Sequence, residues 1–280
     1  MSGRVSKSFQ WLVATSFVLS LVISGCGSSE AVKELSSDDR FKHAKALYDD
    51  RDYLEAINEF TVITLQNQGS AVAPEAQYYM AECRFARGEY LLAAFEYQVL
   101  RRNYPASQRV GDAQFKLGLC YYALAPRASL DQEYTKKAID EFQSFVEYYP
   151  KDSSVADADA KIKELTIRLA KKQYETARLY SVMEYYRAAL FSFDEVIEKY
   201  HDTEYAPLAY EGKIGLLMSR HHYREAKDEI GRFLAKYPNS VLRGRFESLG
   251  KTADGEIQLG NNIDTGTPPV RRPVPETPQL

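Results

Sequence analysis

The chain has 280 residues, and 36 Lys and Arg against 39 Asp and Glu leave a net charge of −3. No basic excess supports nucleic-acid binding, so no nucleic acid is expected as a partner. Hydrophobic residues make up 45% of the chain, with 21 tyrosines and 13 phenylalanines, enough for one repeat domain and its tails.

Residues 1–25 read as a signal peptide. Arg4 and Lys7 supply a positive start, Phe9 to Ile23 an apolar core, and Ser24-Gly25 small residues before Cys26. The apolar run is broken by Thr15, Ser16 and Ser20 and falls short of the roughly 20 residues that cross a bilayer. The ending Ile23-Ser24-Gly25-Cys26 resembles a bacterial lipobox, which implies cleavage before Cys26 and lipidation of that cysteine. The alternative is an ordinary secretory signal with an incidental cysteine. One acyl chain anchors marginally at about 0.8 kcal/mol per buried methylene, whereas a multiply acylated cysteine anchors durably. Gly27 after the cysteine, by resemblance to enteric lipoproteins, favours the outer membrane. Loss of the leader removes Arg4, Lys7 and Trp11, leaving a charge of −5 and no tryptophan. Residues 26–37 then form the lipidated cysteine and a short polar tether.

Residues 38–250 read as a repeat domain. One pattern recurs on five alanines, Ala56, Ala93, Ala138, Ala189 and Ala226. Four residues after each come Phe60, Tyr97, Phe142, Phe193 and Ile230; seven after come Ile63, Leu100, Phe145, Val196 and Phe233. That spacing is one stripe of a 3.6-residue period. Three before each stand Tyr53, Tyr90, Thr135, Tyr186 and Tyr223, and the last four copies end in Tyr104-Pro105, Tyr149-Pro150, Tyr200-His201 and Tyr237-Pro238. Proline lacks an N–H and turns the chain there. In the partner helix a small-residue position is met by Ala44, Ala81, Gly118 and Ala177, with Ile214 in the fifth copy. Alanine-to-alanine intervals of 37, 45, 51 and 37 residues match two-helix tetratricopeptide-type repeats with insertions. The expected fold is all-α, a helical-repeat solenoid of about five helix pairs plus a capping helix.

Along the chain, Asp38 or Asp39 is placed to cap the first helix, and the Asp49 to Asp52 turn leads into the second. Within the helix around Ala138, Asp140, Glu141 and Glu147 are expected to face water. The stretch from Ala125 to Gln132 lengthens the turn inside the third pair and is expected on display. From Val155 to about Tyr180 runs an unusually long helix with Ile162, Leu165 and Leu169 as its stripe, Glu164 and Arg168 as an i, i+4 pair, and a role as spine between the halves. Leu242, Phe246 and Leu249 fit a short helix that caps the open end. Residues 251–280, with Pro268, Pro269 and Pro278, read as a disordered proline-rich tail.

No residue constellation for catalysis emerges: there is no His-Glu-x-x-His, no Gly-x-Ser-x-Gly, no phosphate loop and no Cys-x-x-Cys. His221-His222 lacks further ligands, and Ser248-Leu249-Gly250-Lys251 lacks companion motifs. No catalytic residue, metal ligand or cofactor is expected. Cys83 and Cys120 occupy equivalent places in adjacent repeats, about 10 Å apart in stacked helices, beyond disulfide reach, and read as two separate core thiols. Lys161, Lys163, Arg168, Lys171 and Lys172 form either a solvated face or a docking surface. The aromatics Tyr78, Tyr79, Tyr121, Tyr122, Tyr148, Tyr180, Tyr185 and Phe191 exceed what the columns use, and some are expected on the concave face, suited to an extended peptide.

Lipobox, five repeats and Tyr-Pro endings together resemble the BamD family, outer-membrane lipoproteins of the β-barrel assembly machinery. The most specific match runs from Leu124-Ala125-Pro126 through Asp131-Gln132, Thr135, Ala138 and Tyr149-Pro150. It continues through Leu165, Arg168-Leu169-Ala170-Lys171, Glu175, Ala177 and Tyr180 to Tyr200-His201-Asp202-Thr203. His201 for proline, a weak first repeat and the tail are departures. The resemblance implies a non-catalytic scaffold lipid-anchored at Cys26 on the periplasmic face of the outer membrane. It implies as partners the periplasmic domains of a BamA-type barrel protein through repeats four and five, unfolded outer-membrane proteins through repeats one to three, and other accessory lipoproteins. A periplasmic repeat adaptor for cell-envelope or peptidoglycan maintenance is the alternative.

Overall fold

The computed structural model describes residues 35–261. The signal peptide, Cys26, nearly all of the tether and residues 262–280 lie outside the described residues. Eleven helices follow one another among those described: α1 (Ser37–Asp49), α2 (Tyr53–Gln66), α3 (Ala73–Ala86), α4 (Tyr90–Asn103), α5 (Val110–Leu124) and α6 (Glu133–Tyr148); then α7 (Val155–Val182), α8 (Tyr186–Lys199), α9 (Tyr205–Ser219), α10 (Tyr223–Lys236) and α11 (Arg243–Asn261). Each packs chiefly on its neighbours in sequence, giving five pairs closed by α11, with additional contact of α1 to α3 and of α7 to α9. The fold is all-α, as the repeat pattern predicts.

The columns become the core. All five repeat alanines are fully buried, as are Phe60, Tyr97 and Phe142, with Phe193 and Ile230 nearly so. Full burial of one such side chain is worth about 1.5–3 kcal/mol. A Cβ added at Gly118 would lie 2.6 Å from the Phe142 ring, so the small position exists to admit the aromatic from the partner helix. The fifth pair changes both members: Ile214 takes the small position and Ile230 the aromatic one, and both are buried in the same core.

The turns inside the pairs share one backbone solution. Arg51, Gly88, Glu184 and His221, each five residues before a repeat alanine, have φ of 66°, 76°, 61° and 63°. The next residue's N–H then reaches back across the turn, from Asp52 to Leu47 O, Glu89 to Arg84 O, Tyr185 to Tyr180 O and His222 to Leu217 O, closing the helix end. Between pairs the path repeats too: Tyr104, Tyr149, Tyr200 and Tyr237 donate to the carbonyl four residues back, and Asn67 does the same where the first copy lacks Tyr-Pro. Tyrosine adds a stitch of its own. Tyr104 Oη donates to Gln68 O at 3.4 Å and Tyr237 Oη to His201 O at 3.1 Å, tying each turn to the one before.

The long helix does span two halves. Ala158 and Leu165 belong to the core of pairs two and three, and Ala177 to the core of pairs four and five. A third core joins the first pair to α3.

Three local expectations are corrected. Ser36, not an aspartate, caps α1: its Oγ accepts from Asp39 N at 3.1 Å and donates to the Asp39 carboxylate at 2.7 Å. Glu141 does not face open water but sits half-buried, taking Arg101 at 3.1 Å and Gln114 at 2.5 Å. The capping helix does not stop at residue 250. Glycines at 250 and 255 lower helix propensity, yet Phe246 and Ala253 are fully buried, and Lys227 to Asp254 and Tyr223 to Glu256 hold the extension on α10. The repeat domain therefore runs to Asn261, and only residues 262–280 of the tail expectation lie beyond it.

The Gly118–Phe142 register yields a direct test. Gly118→Val should cost about 1–3 kcal/mol in urea unfolding through overpacking. Pairing it with Phe142→Leu should recover part of that loss, so that the double variant is more stable than the sum of singles; strict additivity would contradict the register.

Candidate functional site

The first helices of pairs four and five leave a groove of about 330 Å³ between them. Tyr174, Arg178, Ser181 and Val182 of α7 form one wall, Leu208, Glu211, Gly215, Leu216 and Ser219 of α9 the other, and Phe193 of α8 and Gly212 the floor. Tyr174 and Tyr205 rings, 5.7 Å apart, close one end. The two glycines differ in cause. At Gly212 a Cβ would strike the Phe193 ring at 2.5 Å, whereas at Gly215 it would meet nothing within 4 Å. Glycine inside a helix costs roughly 0.5–1 kcal/mol against alanine, and the packing within this chain explains the first but not the second. Along the rim Leu179 is 56%, Val182 80% and Met183 48% exposed, an apolar edge of the kind that marks a contact surface.

The second feature is the segment 125–132, which is built rather than loose. Gln132 is buried and donates from Nε2 to Arg127 O at 3.0 Å and Leu130 O at 2.9 Å, while Thr135 Oγ1 donates to Gln132 Oε1 at 2.8 Å. Where the other copies carry tyrosine, the third thus carries a buried threonine whose hydroxyl completes the loop's hydrogen bonding. From α7, Arg168 donates to Ala125 O at 3.0 Å and Pro126 O at 3.1 Å, and Lys172 to Leu130 O at 2.8 Å. Arg127, Ser129, Leu130 and Asp131 are thereby presented in fixed positions. The basic residues of α7 are thus largely committed. Lys161 pairs with Asp157 at 3.5 Å and lies 4.5 Å over the Tyr122 ring, Arg168 also takes Glu164 at 2.9 Å, and Lys171 reaches Glu175 at 3.9 Å. Lys163 is exposed and Lys171 half exposed, so the face is part committed and part solvated.

The surplus aromatics divide. Tyr78 and Tyr121 are buried, Tyr79 lies among Phe41, Tyr48 and Phe60, and Tyr122 Oη donates to Glu164 at 2.6 Å. Tyr148, Tyr185 and Phe191 are exposed, but on or beside the second helices α6 and α8. The exposed apolar groups of the first helices are aliphatic, and of the rings there Tyr174 lines the groove while half-buried.

A polar column runs through the stack that the apolar pattern conceals. Glu59 accepts from Arg40 at 2.7 Å, Glu96 from Gln77 at 2.8 Å, Glu141 from Gln114, and Glu229 from Lys213 at 2.7 Å. Each acid sits three residues after a repeat alanine; Ser192 breaks the column in the fourth copy, where Gln173 bonds Glu195 at 2.6 Å. Buried charge of this sort stays only when it is paired and hydrogen-bonded.

Nothing here assembles reactive chemistry. Cys83 and Cys120 are free and buried, and desolvation pushes both thiols up to about 12, far from nucleophilic at neutral pH. His221 and His222 occupy an exposed turn with Tyr223 and Glu225, and no cluster suited to a metal ion occurs among the described residues.

Comparison with known proteins gives a consistent set of relatives. The family described as an outer membrane lipoprotein, YfiO, matches residues 33–220. The chain is similar to outer membrane protein assembly factor BamD of Rickettsia prowazekii, 26% identical over 231 residues that cover 82% of this chain and 92% of that one. It is also similar to BamD of Pasteurella multocida, 20% identical over 211 residues, 72% and 80% of the two chains. Among solved structures, the TPR2AB-domain:pHSP90 complex of yeast Sti1 is 18% identical with a TM-score of 0.39, covering 81% of this chain and 86% of that one.

Removing the arginine that holds the 125–132 segment tests the construction of the site. Arg168→Ala should raise amide hydrogen exchange across residues 126–131 while the cores of α5 and α6 keep their protection. Unchanged exchange in the segment would show that Gln132 and Lys172 hold it without Arg168.

Proposed function

The chain belongs to the YfiO family of outer membrane lipoproteins, and on that premise we propose that it is the assembly-factor lipoprotein of a β-barrel assembly machinery. The observation that carries this is the family match itself, which extends from before α1 to the end of α9 and so takes in four complete pairs and the first helix of the fifth. Its work is non-catalytic: it holds other chains in place.

In this reading Cys26 is acylated and roots the protein in the outer membrane. Repeats four and five bind the periplasmic domains of a BamA-type barrel protein, supported by the apolar rim at Leu179, Val182 and Met183. Repeats one to three receive unfolded outer-membrane proteins before insertion. Exposed Leu54, Leu91, Leu92 and Phe95 there offer apolar contacts to an extended chain, whose recognition needs no enclosed pocket. The pinned segment 125–132 and α7 keep the two regions at a fixed spacing, and accessory lipoproteins join at the remaining surfaces.

Depletion tests the reading. Loss of the protein should lower barrel proteins in the outer-membrane proteome, and a Cys26→Ser copy should fractionate away from the membrane and restore them less well than the parent. Normal barrel levels accompanied by septation or wall defects would overturn assembly in favour of an envelope-maintenance adaptor.

A further inference from the structure

We infer that the groove between α7 and α9 is the docking site for the chain's own proline-rich segment, residues 262–280. The docked segment would cover Val182, part of the rim that the proposed function gives to the barrel partner, so a free protein and an assembled one would differ at this groove. Three observations lead to it: an opening that the described residues leave unfilled, the point at which the segment begins, and its chemistry.

The opening centres on Gly215, beside which a Cβ would meet nothing, and on Val182, 80% exposed across from it. A bare helix backbone lets a ring approach closely, the usual reason for glycine facing a ligand. The segment starts where the groove is open. Contacts of α11 with the beginning of α10, Lys227 to Asp254 and Tyr223 to Glu256, place its second half beside the start of α10, four residues beyond Ser219. Ser219 and Val182 line the same groove, so α11 approaches the end of α9 at which the groove terminates.

The lengths agree. From Leu208 to Ser219 the groove wall measures about 17 Å at 1.5 Å per residue. Five or six residues of polyproline II cover that at about 3.1 Å each, and Pro268 to Pro275 supplies eight. Asn262 to Thr267 are six residues that cross the interval from α11 at up to about 3.3 Å each.

The chemistry agrees as well. Proline-rich strands bind apolar, aromatic-lined channels because the prolines lose little freedom on binding. Tyr174 and Val182 provide such walls here. Charges stand on both sides of the match: Arg271 and Arg272 within the proline run and Glu276 just after it, Arg178 and Glu211 in the groove, where Glu211 gives one oxygen to Arg245.

A single indole reports the docking. In the full chain carrying Trp11→Phe, Val270→Trp introduces the sole tryptophan, and Gly215→Leu fills the groove at a site where the added side chain meets open space. Docking predicts blue-shifted emission and an acrylamide quenching constant several-fold below the value in urea. Gly215→Leu should bring both readings most of the way to the urea values with helical circular dichroism unchanged. An indole that is fully quenched in the parent overturns the inference. So does protection that Gly215→Leu leaves intact, which would put the segment elsewhere, and so does protection that fades on dilution, which would put it on a second copy.

Discussion

The structure rests on a volume constraint between paired helices. Two helices approach to packing distance only where one presents a small residue, and the partner must then supply a side chain that fills the gap without leaving a void. Ala44, Ala81, Gly118 and Ala177 meet this on one helix of each pair, against Phe60, Tyr97, Phe142 and Phe193 on the other. Because the same constraint repeats, each pair can add to the next without a new solution. The fifth pair shows that residue identity is not what is held: Ile214 and Ile230, both buried in one core, stand where the other pairs set a small residue against an aromatic.

Polar groups then fix what apolar packing leaves free. A column of acids, each anchored by a glutamine, lysine or arginine of the partner helix, sets the rotation of one helix against the other. The segment 125–132 shows the same logic at a turn. Its carbonyls would otherwise lack partners, and Gln132, Arg168 and Lys172 supply them from two helices. Since Arg168 and Lys172 lie midway along α7, whose ends belong to two different cores, the pinned turn also braces the junction of the two halves.

Much of this was legible in the residues. The alanine and aromatic columns, the helix order, the insertion in the third pair and the long α7 follow from spacing alone, because burial imposes a 3.6-residue period. What escaped was set by tertiary contact. Glu141 looks like a surface acid by helical position, and only its neighbours Arg101 and Gln114 make it interior; the recurrence of an acid three places after the alanine was the available signal. The extension of α11 was hidden by glycines that lower helix propensity, although Phe246, Leu249 and Ala253 keep helical spacing. Thr135 stands in a column of tyrosines, and its bond to Gln132 in the loop could not be read from spacing. The exposed aliphatic rim of α7 and the open face at Gly215 were not visible, since exposure at a given turn depends on where α9 lies.

On the proposed reading the protein is a scaffold with separate binding regions and no chemistry of its own. Its buried thiols, its capped turns and its committed basic residues all serve to hold a surface. The claim that this surface belongs to an assembly machinery is tested most directly by affinity purification of the tagged protein from detergent-solubilised envelopes, with the companions identified by mass spectrometry. Recovery of a BamA-type barrel protein in near-equal amount is the predicted result. Recovery of the folded, acylated protein without such a barrel would contradict it.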